Sequence, residues 1–350
     1  MKIQIWFVTS IQSVQKILLL SRKNRGFPRK AKKFNGRTVD DGLQTCPSHL
    51  KLIANQSVES MNESVETRPW TGEVDLTFGL VNGQTKPIVT YTKAPFKIQR
   101  SFYQPESGVC QVVLLHTGGG IVGGDRLLSR LDLQPQTQVL LTTPAAQKIY
   151  RSDGLLSQQN IKLHIQNNSI LEFLPLETIV FNGAKYEQKT IVTLETGACF
   201  VGWEITRFGR TARAESFETG SWRSFLEVWQ AQERDSEEPH TRPIWIDRQQ
   251  LIDPHILQHH PFGLNRQAVI GNLVLLGHSF STDGQANLVQ SWERQGYTAP
   301  TFTLTRTMEG LVGRYRGNSS HQARQGFIHL WQDWKRSILG QDPWIPRLWG

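Results

Sequence analysis

A glycine-rich segment is the feature of this 350-residue chain whose residue types and spacing first suggest chemistry. The segment HTGGGIVGGD covers residues 116–125, and its Gly118, Gly120 and Gly123 match the G-x-G-x-x-G spacing of dinucleotide-binding turns. Such a turn must open a helix, with an acidic residue about 20 positions later. Here the chain continues as an alternating strand, residues 133–152 contain no Asp or Glu, and no Gly-Lys-Ser/Thr follows. The sequence therefore predicts no nucleotide site.

What remains is a tight glycine turn that ends in an acidic side chain. Gly119 and Gly124 complete the cluster, which predicts a hairpin whose backbone needs positive φ or the close approach of another segment. Asp125 closes the turn, either as a capping residue or as a functional carboxylate. His116 precedes it, and two interpretations stay open, a metal ligand or a hydrogen-bonded turn residue.

The other metal-ligating residue types form no recognisable site in the sequence. Cys46, Cys110 and Cys199 are far apart and show no zinc spacing, which favours a reducing compartment over a disulfide framework. His259 and His260 are adjacent, but nothing at i+3 or i+4 completes a helical metal site. We therefore expect this pair in a surface loop.

The elements that must position these residues are mainly strands. Glu73–Phe78 and Pro87–Tyr91 alternate on either side of a turn and predict a hairpin. A unit of strand, polar turn and strand then recurs about every 30 residues, which predicts extended stacked β-sheets, either solenoid-like or two-layered. The three units are Leu131–Leu133 to Val139–Leu141, Leu163–Ile165 to Ile170–Leu171, and Val192–Leu194 to Phe200–Val201.

The C-terminal third has a different pattern and predicts a small α+β portion with two helices. Residues 67–262 form the predicted β-rich body, and residues 263–350 the α+β portion. Ser320–Leu339 places Phe327, Leu330, Trp331, Trp334 and Ile338 on one face of a helix, and Gly340 is suited to its C-terminal cap. The order β-α-β-β-α follows from Gln267–Leu276, Asp283–Arg294, Phe302–Thr305, Leu311–Arg316 and Ser320–Leu339.

Charge and hydropathy exclude two classes of partner. The chain has 39 Lys/Arg and 30 Asp/Glu, of which eleven and three lie in residues 1–60, so 28 and 27 remain in residues 61–350. Residues 1–60 thus carry a surplus of eight positive charges, and the rest of the chain is nearly neutral, so we expect no nucleic acid partner. The basic extension of residues 1–66 is interpreted as disordered or as a mis-assigned start with Met61 as the alternative, with a targeting segment as a further alternative. The longest apolar runs are much shorter than the ~20 residues of a membrane span, so we expect a cytoplasmic protein without a membrane partner.

Six segments, taken together and in order, resemble the UreD family of urease accessory proteins, also named UreH. The resemblance runs from about Trp70 to the C-terminus and leaves residues 1–60 outside. The family more often has Ala or Pro at the position of Gly118, and Thr or Ser at that of Gln147. The segments are APFKIQRSFY (94–103), HTGGGIVGGDRL (116–127), LLTTPAAQKIYRS (140–152), LEFLPLETIVFNGA (171–184), GWEITRFGR (202–210) and DPWIPRLW (342–349).

This resemblance implies a non-catalytic scaffold that helps to deliver nickel to apo-urease. The implied partners are apo-urease on one side and, on the other, a helical accessory protein (F type) that carries an accessory GTPase (G type). Nickel would pass through an interior tunnel, so Ni²⁺ is expected in transit and no cofactor is held permanently. Nickel in transit requires weak, exchangeable ligands, since a closed four-ligand cage would trap the ion.

The acidic residues that match the family segments are the candidates for such a path. Asp125, Glu204 and Asp247 are the first candidates, as transient metal ligands, and Glu172 and Glu177 are the second. Each has a structural alternative, such as a surface ion pair for Asp247 or an outward strand position for Glu172.

The C-terminal tail and one enzymatic alternative complete the expectations. Trp344, Arg347 and Trp349 follow the last helix in a Pro-flanked segment, and Trp and Arg are enriched at the centres of interfaces. The tail is therefore predicted to bind a partner. The alternative is a carbohydrate-active β-solenoid enzyme, which requires two carboxylates about 5–10 Å apart in an open cleft, with Asp125 and Glu204 as the pair.

Overall fold

The computed structural model describes residues 69–103, 108–232, 240–277, 282–297 and 301–349. The basic extension of residues 1–66 and the possible start at Met61 lie outside the described residues. In the described ranges the chain is mainly β, with stacked sheets and three helices, two of them substantial, which confirms the predicted fold class.

The first sheet has seven strands within the described ranges. In spatial order the strands are β15 (His240–Leu251), β14 (Ser221–Gln232), β12 (Lys185–Leu194), β9 (Ser157–Ile165), β6 (Arg126–Leu133), β1 (Thr71–Val81) and β2 (Gln84–Lys93). Strands β6, β9, β12 and β14 run parallel, and the hairpin partners β15 and β2 lie at the edges of the sheet.

The second sheet has eleven strands within the described ranges. Its main path, in spatial order, is β17 (Phe302–Thr307), β18 (Gly310–Gly317), β16 (Val269–Leu276), β13 (Cys199–Phe208), β10 (Ile170–Phe173), β7 (Gln138–Thr142), β5 (Cys110–His116) and β3 (Phe96–Ile98). Three short strands pair beside this path, namely β4 (Phe102–Tyr103), β8 (Gln147–Ile149) and β11 (Thr178–Val180).

Each repeat unit contributes one strand to each sheet, as in a solenoid. β6 leads to β7, β9 to β10 and β12 to β13, and equivalent strands of successive units pair in parallel. The register stacks buried apolar residues into a continuous column of Leu76, Leu131, Leu163, Val192 and Val228. The recurrence in the sequence therefore corresponds to stacking of one unit on the next.

Within the described residues, three helices follow the parallel strands, and two of them cover the second sheet. α1 (Pro254–His259) is short and was not predicted, whereas α2 (Thr282–Arg294) and α3 (Ser320–Ile338) match the predicted helices. Ser319 caps α3 by accepting a hydrogen bond from the Gln322 N–H at 3.1 Å, and Gly340 beyond its end has φ +62°. None of the helices in the described ranges is long and apolar enough to cross a membrane.

The core lies in two layers, one on each face of the second sheet. The first is formed by inward residues of both sheets, including Phe78, Leu163 and Phe200. The second lies beneath α2 and α3, where Trp331 and Trp334 are fully buried as the helical periodicity predicts. Burying one large apolar side chain stabilises a fold by about 1.5–3 kcal/mol, so α3 is firmly attached to the sheet.

The predicted division between residues 262 and 263 stays a prediction. β16 of the C-terminal portion pairs with β13 of the body along Phe200–Arg207, so the two portions share one sheet. The order β16, α2, β17, β18, α3 is the predicted β-α-β-β-α.

Candidate functional site

Glu204 occupies an inward position on β13 where the alternation calls for an apolar residue. Phe200 and Phe208, which share its parity on the strand, belong to the core between the sheets. Val201 and Trp203 have the opposite parity and belong to the core beneath the helices. Glu204 therefore projects a carboxylate into the space between the two sheets.

The sheet opposite Glu204 presents a stripe of polar side chains at one register level. Gln159, Gln188, Ser224 and Gln249 are direct neighbours across β9, β12, β14 and β15. Their parity is that of the inward apolar residues, such as Val192 on β12. We define these four residues as the polar stripe. Since unpaired polar groups are costly inside a protein, the stripe must find partners there.

Glu204 is held by two members of this stripe and has a raised pKa. Ser224 Oγ donates to its Oε2 at 2.7 Å, and the Gln188 amide donates to its Oε1. Burial raises the pKa of Glu204 from 4.5 to about 7; the Ser224 hydrogen bond opposes this rise, and the negative charge of Asp247 adds to it. The carboxyl group therefore exchanges its proton near neutral pH.

Asp247 on β15 lies close to Glu204 and is part of the same polar interior. Its Oδ2 is 3.2 Å from Arg314 Nη1 and accepts a hydrogen bond from Gln249 at 3.0 Å. Arg314 also donates to Asn272 Oδ1 at 2.7 Å. The Asp247 side chain is 15% exposed and the Arg314 side chain 31%, so this ion pair is partly buried, unlike the surface ion pair considered from the sequence.

Two cavities meet at Glu204. The larger has a volume of about 320 Å³ and extends from the glycine turn to Glu204, with Gly119, Gly120 and His116 in its lining. The smaller is lined by Asp247, Asn272 and Gln249, among others. Phe173, Glu204 and Ser224 line both. Glu204 therefore lies between the larger cavity and the smaller one, whose volume is about 20 Å³.

The larger cavity is lined by polar atoms that other protein groups do not satisfy. Within the described residues, both ring nitrogens of His116, Ser129 Oγ and Gln147 Nε2 are buried without a hydrogen-bond partner. Such atoms require water or another polar ligand. Burial lowers the pKa of His116, and the charge of Asp125 partly opposes this effect. A neutral imidazole offers a lone pair to a metal ion.

The glycine turn joins the two sheets instead of forming the predicted hairpin. β5 lies in the second sheet and β6 in the first, so the segment between them crosses from one to the other. Gly119, Gly120 and Gly124 have φ of +74°, +155° and +91°, as the composition predicts. At Gly118 and Gly123 the side chains of Trp70 and Ser152 fill the space that a Cβ would occupy.

Asp125 fixes this turn. Its two oxygens accept hydrogen bonds from the backbone N–H groups of Trp70, at 2.9 Å, and Val122, at 3.0 Å. Asp125 is buried and, among the described residues, is not part of the lining of either cavity. The carboxylate pair with Glu204 that a glycosidase would require therefore does not face one cleft.

Glu172 and Glu177 bind α3 to the sheet. The Lys335 Nζ donates to Glu172 Oε1 at 2.7 Å, and the indole of Trp331 donates to Oε2 at 2.5 Å. Glu177 accepts from Ser320 and Arg324, each at 3.3 Å. Both carboxylates are thus engaged by the helix, and Glu172 is not the outward residue considered as its alternative.

The predicted partner-binding residues of the tail separate into two groups. Trp349 is 5% exposed, donates to Thr142 Oγ1 at 2.9 Å and packs at a tilt against Trp203, with ring centroids 5.2 Å apart. Its indole stabilises the fold and is not available at the surface. Trp344 is half-buried and Arg347 is exposed, so these two side chains remain accessible.

Among the five predicted acids, the structure brings Glu204 and Asp247 together and places the other three elsewhere. The sequence reasoning missed Gln159, Gln188 and Ser224, which complete the site. A signal for them was present, because each stands at an inward position of an alternating strand. That parity becomes decisive only when the pairing of the strands is known.

Comparison with known proteins identifies the family of the chain. Residues 71–350 match the family model described as UreD urease accessory protein. Urease accessory protein UreD of Nostoc punctiforme is 43% identical over 280 residues, which are 80% of this chain and 96% of that protein. The proteins of the same name from Picosynechococcus sp. and Acaryochloris marina are 43% and 42% identical, covering 81% and 83% of this chain and 96% and 99% of their own lengths. The chain therefore belongs to the UreD family of urease accessory proteins.

Proposed function

We propose that this chain is a non-catalytic scaffold of urease maturation that helps to deliver nickel to apo-urease, with the ion passing through its interior at Glu204. The observation that supports this proposal most directly is the position of Glu204, which lines both cavities and has a pKa of about 7. A carboxyl group with this pKa ionises when a cation arrives and is protonated when it leaves, at little cost.

The chemistry of the lining suits transient binding of nickel. Glu204 and Asp247 offer carboxylates, and His116 offers a neutral imidazole at the glycine-turn end. Ni²⁺ accepts both ligand types, and few protein ligands at each point leave the remaining positions to water. The ion is thus cargo that moves between weakly binding positions.

The partners in this proposal are apo-urease and the complex of the helical accessory protein with its GTPase. The chain would bridge the two, and Trp344 and Arg347 are the proposed contacts on the C-terminal tail. The cytoplasm is the proposed compartment, because the three cysteines of the chain are far apart in sequence and show no disulfide spacing.

The test is activation of urease in cells that express the full chain together with urease and the other accessory proteins. Glu204→Gln keeps the shape and the hydrogen-bonding capacity of the side chain but removes its charge. We expect urease that contains less nickel and has lower activity, while the variant still co-elutes with its partners. Glu187→Gln is the matched control, because Glu187 lies on the outward parity of β12 and pairs with Arg223.

The two readouts separate the parts of the proposal. Full nickel content of urease with Glu204→Gln would exclude passage at this residue, whatever the partners bind. If the wild-type chain did not co-elute with urease and the other accessory proteins, the scaffold role itself would be contradicted.

A further inference from the structure

Two histidines and one glutamate converge on the surface at α1, far along the chain from the glycine turn. His255 and His259 are four residues apart on α1, so they lie on the same face of the helix. Their rings are edge-to-face, with centroids 6.1 Å apart. Glu218 reaches both from the turn before β14. We name His255, His259 and Glu218 the surface triad.

Two of the three donor-atom distances in the surface triad are near those between neighbouring metal ligands. His255 Nδ1 is 2.9 Å from Glu218 Oε2, and His259 Nε2 is 3.7 Å from Oε1. Two metal–ligand bonds of about 2.1 Å that meet at 90–120° separate their donor atoms by roughly 3.0–3.6 Å. The observed distances are close to this interval.

One of the three side chains stands on a fixed backbone, and the other two are free to adjust. The N–H groups of Glu218 and Thr219 both donate to Asn182 Oδ1 at 2.9 Å, which fixes the turn that carries Glu218. The side chains of His255 and His259 are 75% and 50% exposed. In the described part of the chain no three His, Cys, Asp or Glu side chains are already arranged around one point as ligands. Rotation of two exposed imidazoles is the adjustment that the surface triad needs, and exposed rotamers interchange readily.

We propose that His255, His259 and Glu218 form an exposed binding site for a first-row divalent transition-metal ion of the nickel class. Two imidazoles and one carboxylate suit Ni²⁺, Co²⁺, Cu²⁺ and Zn²⁺, whereas Mg²⁺ and Ca²⁺ require oxygen ligands. Three protein ligands leave the site open to water or to a ligand from another molecule. The site is separate from the interior path and does not depend on it.

His260 is adjacent in sequence but does not belong to the surface triad. Its Nδ1 accepts a hydrogen bond from the Phe262 N–H at 3.2 Å, and its ring stacks near that of Phe262 at 5.4 Å. The residue is thus engaged by its own loop. This makes His260→Ala a matched control, since it removes an imidazole from the same surface without removing a member of the triad.

The experiment is isothermal titration of the full chain with Ni²⁺ as the probe, together with circular dichroism to verify folding. The variant that combines His255→Ala and His259→Ala should lose one equivalent of bound Ni²⁺, and His260→Ala should retain it. Glu218→Gln should weaken the same site at least about tenfold, the loss expected even for a partner outside the first coordination sphere. Titration with Mg²⁺ should show no binding that depends on His255 and His259.

An unchanged nickel stoichiometry in the double histidine variant would overturn the proposal, as would an equal loss in His260→Ala. Glu204→Gln is titrated in parallel to separate this site from the interior. If one equivalent of bound Ni²⁺ is lost in Glu204→Gln but kept in the double histidine variant, that ion binds in the interior, and the result counts against the surface triad. An equivalent lost only in the double histidine variant supports it.

Discussion

The pKa of Glu204 makes the stability of the fold depend on pH in a direction opposite to that of most carboxyl groups. The pKa is about 7 in the folded chain, against 4.5 for the ordinary side chain that the unfolded chain exposes. Between these values the folded state holds a proton that the unfolded state has released. The contribution of Glu204 to the free energy of unfolding therefore falls as the pH rises from 4.5 through 7, and it is constant above that range.

The magnitude follows from the difference between the two pKa values. One pKa unit corresponds to about 1.4 kcal/mol, so the complete effect is roughly 3 kcal/mol. Glu204→Gln cannot ionise, and it keeps an amide that can pair with Gln188 and Ser224. Relative to the wild type, we expect this variant to gain roughly 2–3 kcal/mol in unfolding free energy between pH 5 and pH 8.

The assay is urea unfolding followed by circular dichroism at several pH values for both proteins. Subtracting the two curves removes the contribution of every other titrating group. Parallel curves would refute the reasoning, because they would mean that Glu204 ionises in the folded chain as it does in water. Ser224→Ala gives a second check: it removes the hydrogen bond that lowers the pKa, so the pH dependence should move to higher pH.

Two further predictions concern the contact between Glu172 and α3 and the backbone of the glycine turn. Lys335→Met leaves the carboxylate of Glu172 buried without its cation, so we expect the unfolding free energy measured in urea to fall by about 3–5 kcal/mol. Adding Glu172→Leu to the same chain should restore much of this loss. An equal loss in the double variant would contradict this account. Gly120→Ala should destabilise the fold by about 1–3 kcal/mol, because its Cβ would collide with the ring of Tyr150 and lie 2.8 Å from the Lys148 carbonyl oxygen at φ +155°. Gly119→Ala, at φ +74° with open space around it, should cost less, and the reverse order of melting temperatures would refute the steric explanation.

The sequence predicts individual strands and helices better than it predicts which strands pair with each other. Alternation along each strand depends on neighbouring residues, so the repeats and the two long helices could be located from the sequence alone. The assignment of β5 and β6 to different sheets depends on pairing with distant strands, and the predicted hairpin at the glycine turn was therefore wrong. α1 has six residues, which is too short for helical periodicity to be visible.

The same distinction explains which site residues could be predicted. The family segments led to Glu204, but its neighbours Gln188 and Ser224 stand on strands that meet it only across the two sheets. His255 lies four residues before His259, so the two have the i, i+4 spacing of one helix face, but α1 is too short for its helical pattern to be visible in the sequence. Glu218, their third partner, is 37 residues from His255 in sequence, and folding alone brings the two side chains within 2.9 Å.

The polar stripe is itself an argument that the interior serves a purpose other than stability. Four residues along the same strands, the inward positions hold the buried apolar residues Leu163, Val192 and Val228, so the solenoid does not require Gln or Ser at inward positions. Replacing buried polar groups by apolar side chains of similar volume is often neutral or stabilising. A ligand-bearing interior, by contrast, requires groups that exchange partners, such as Glu204 with its Ser224 and Gln188 donors. In the proposed function, these polar groups would cost stability at the positions where a hydrated cation would pass.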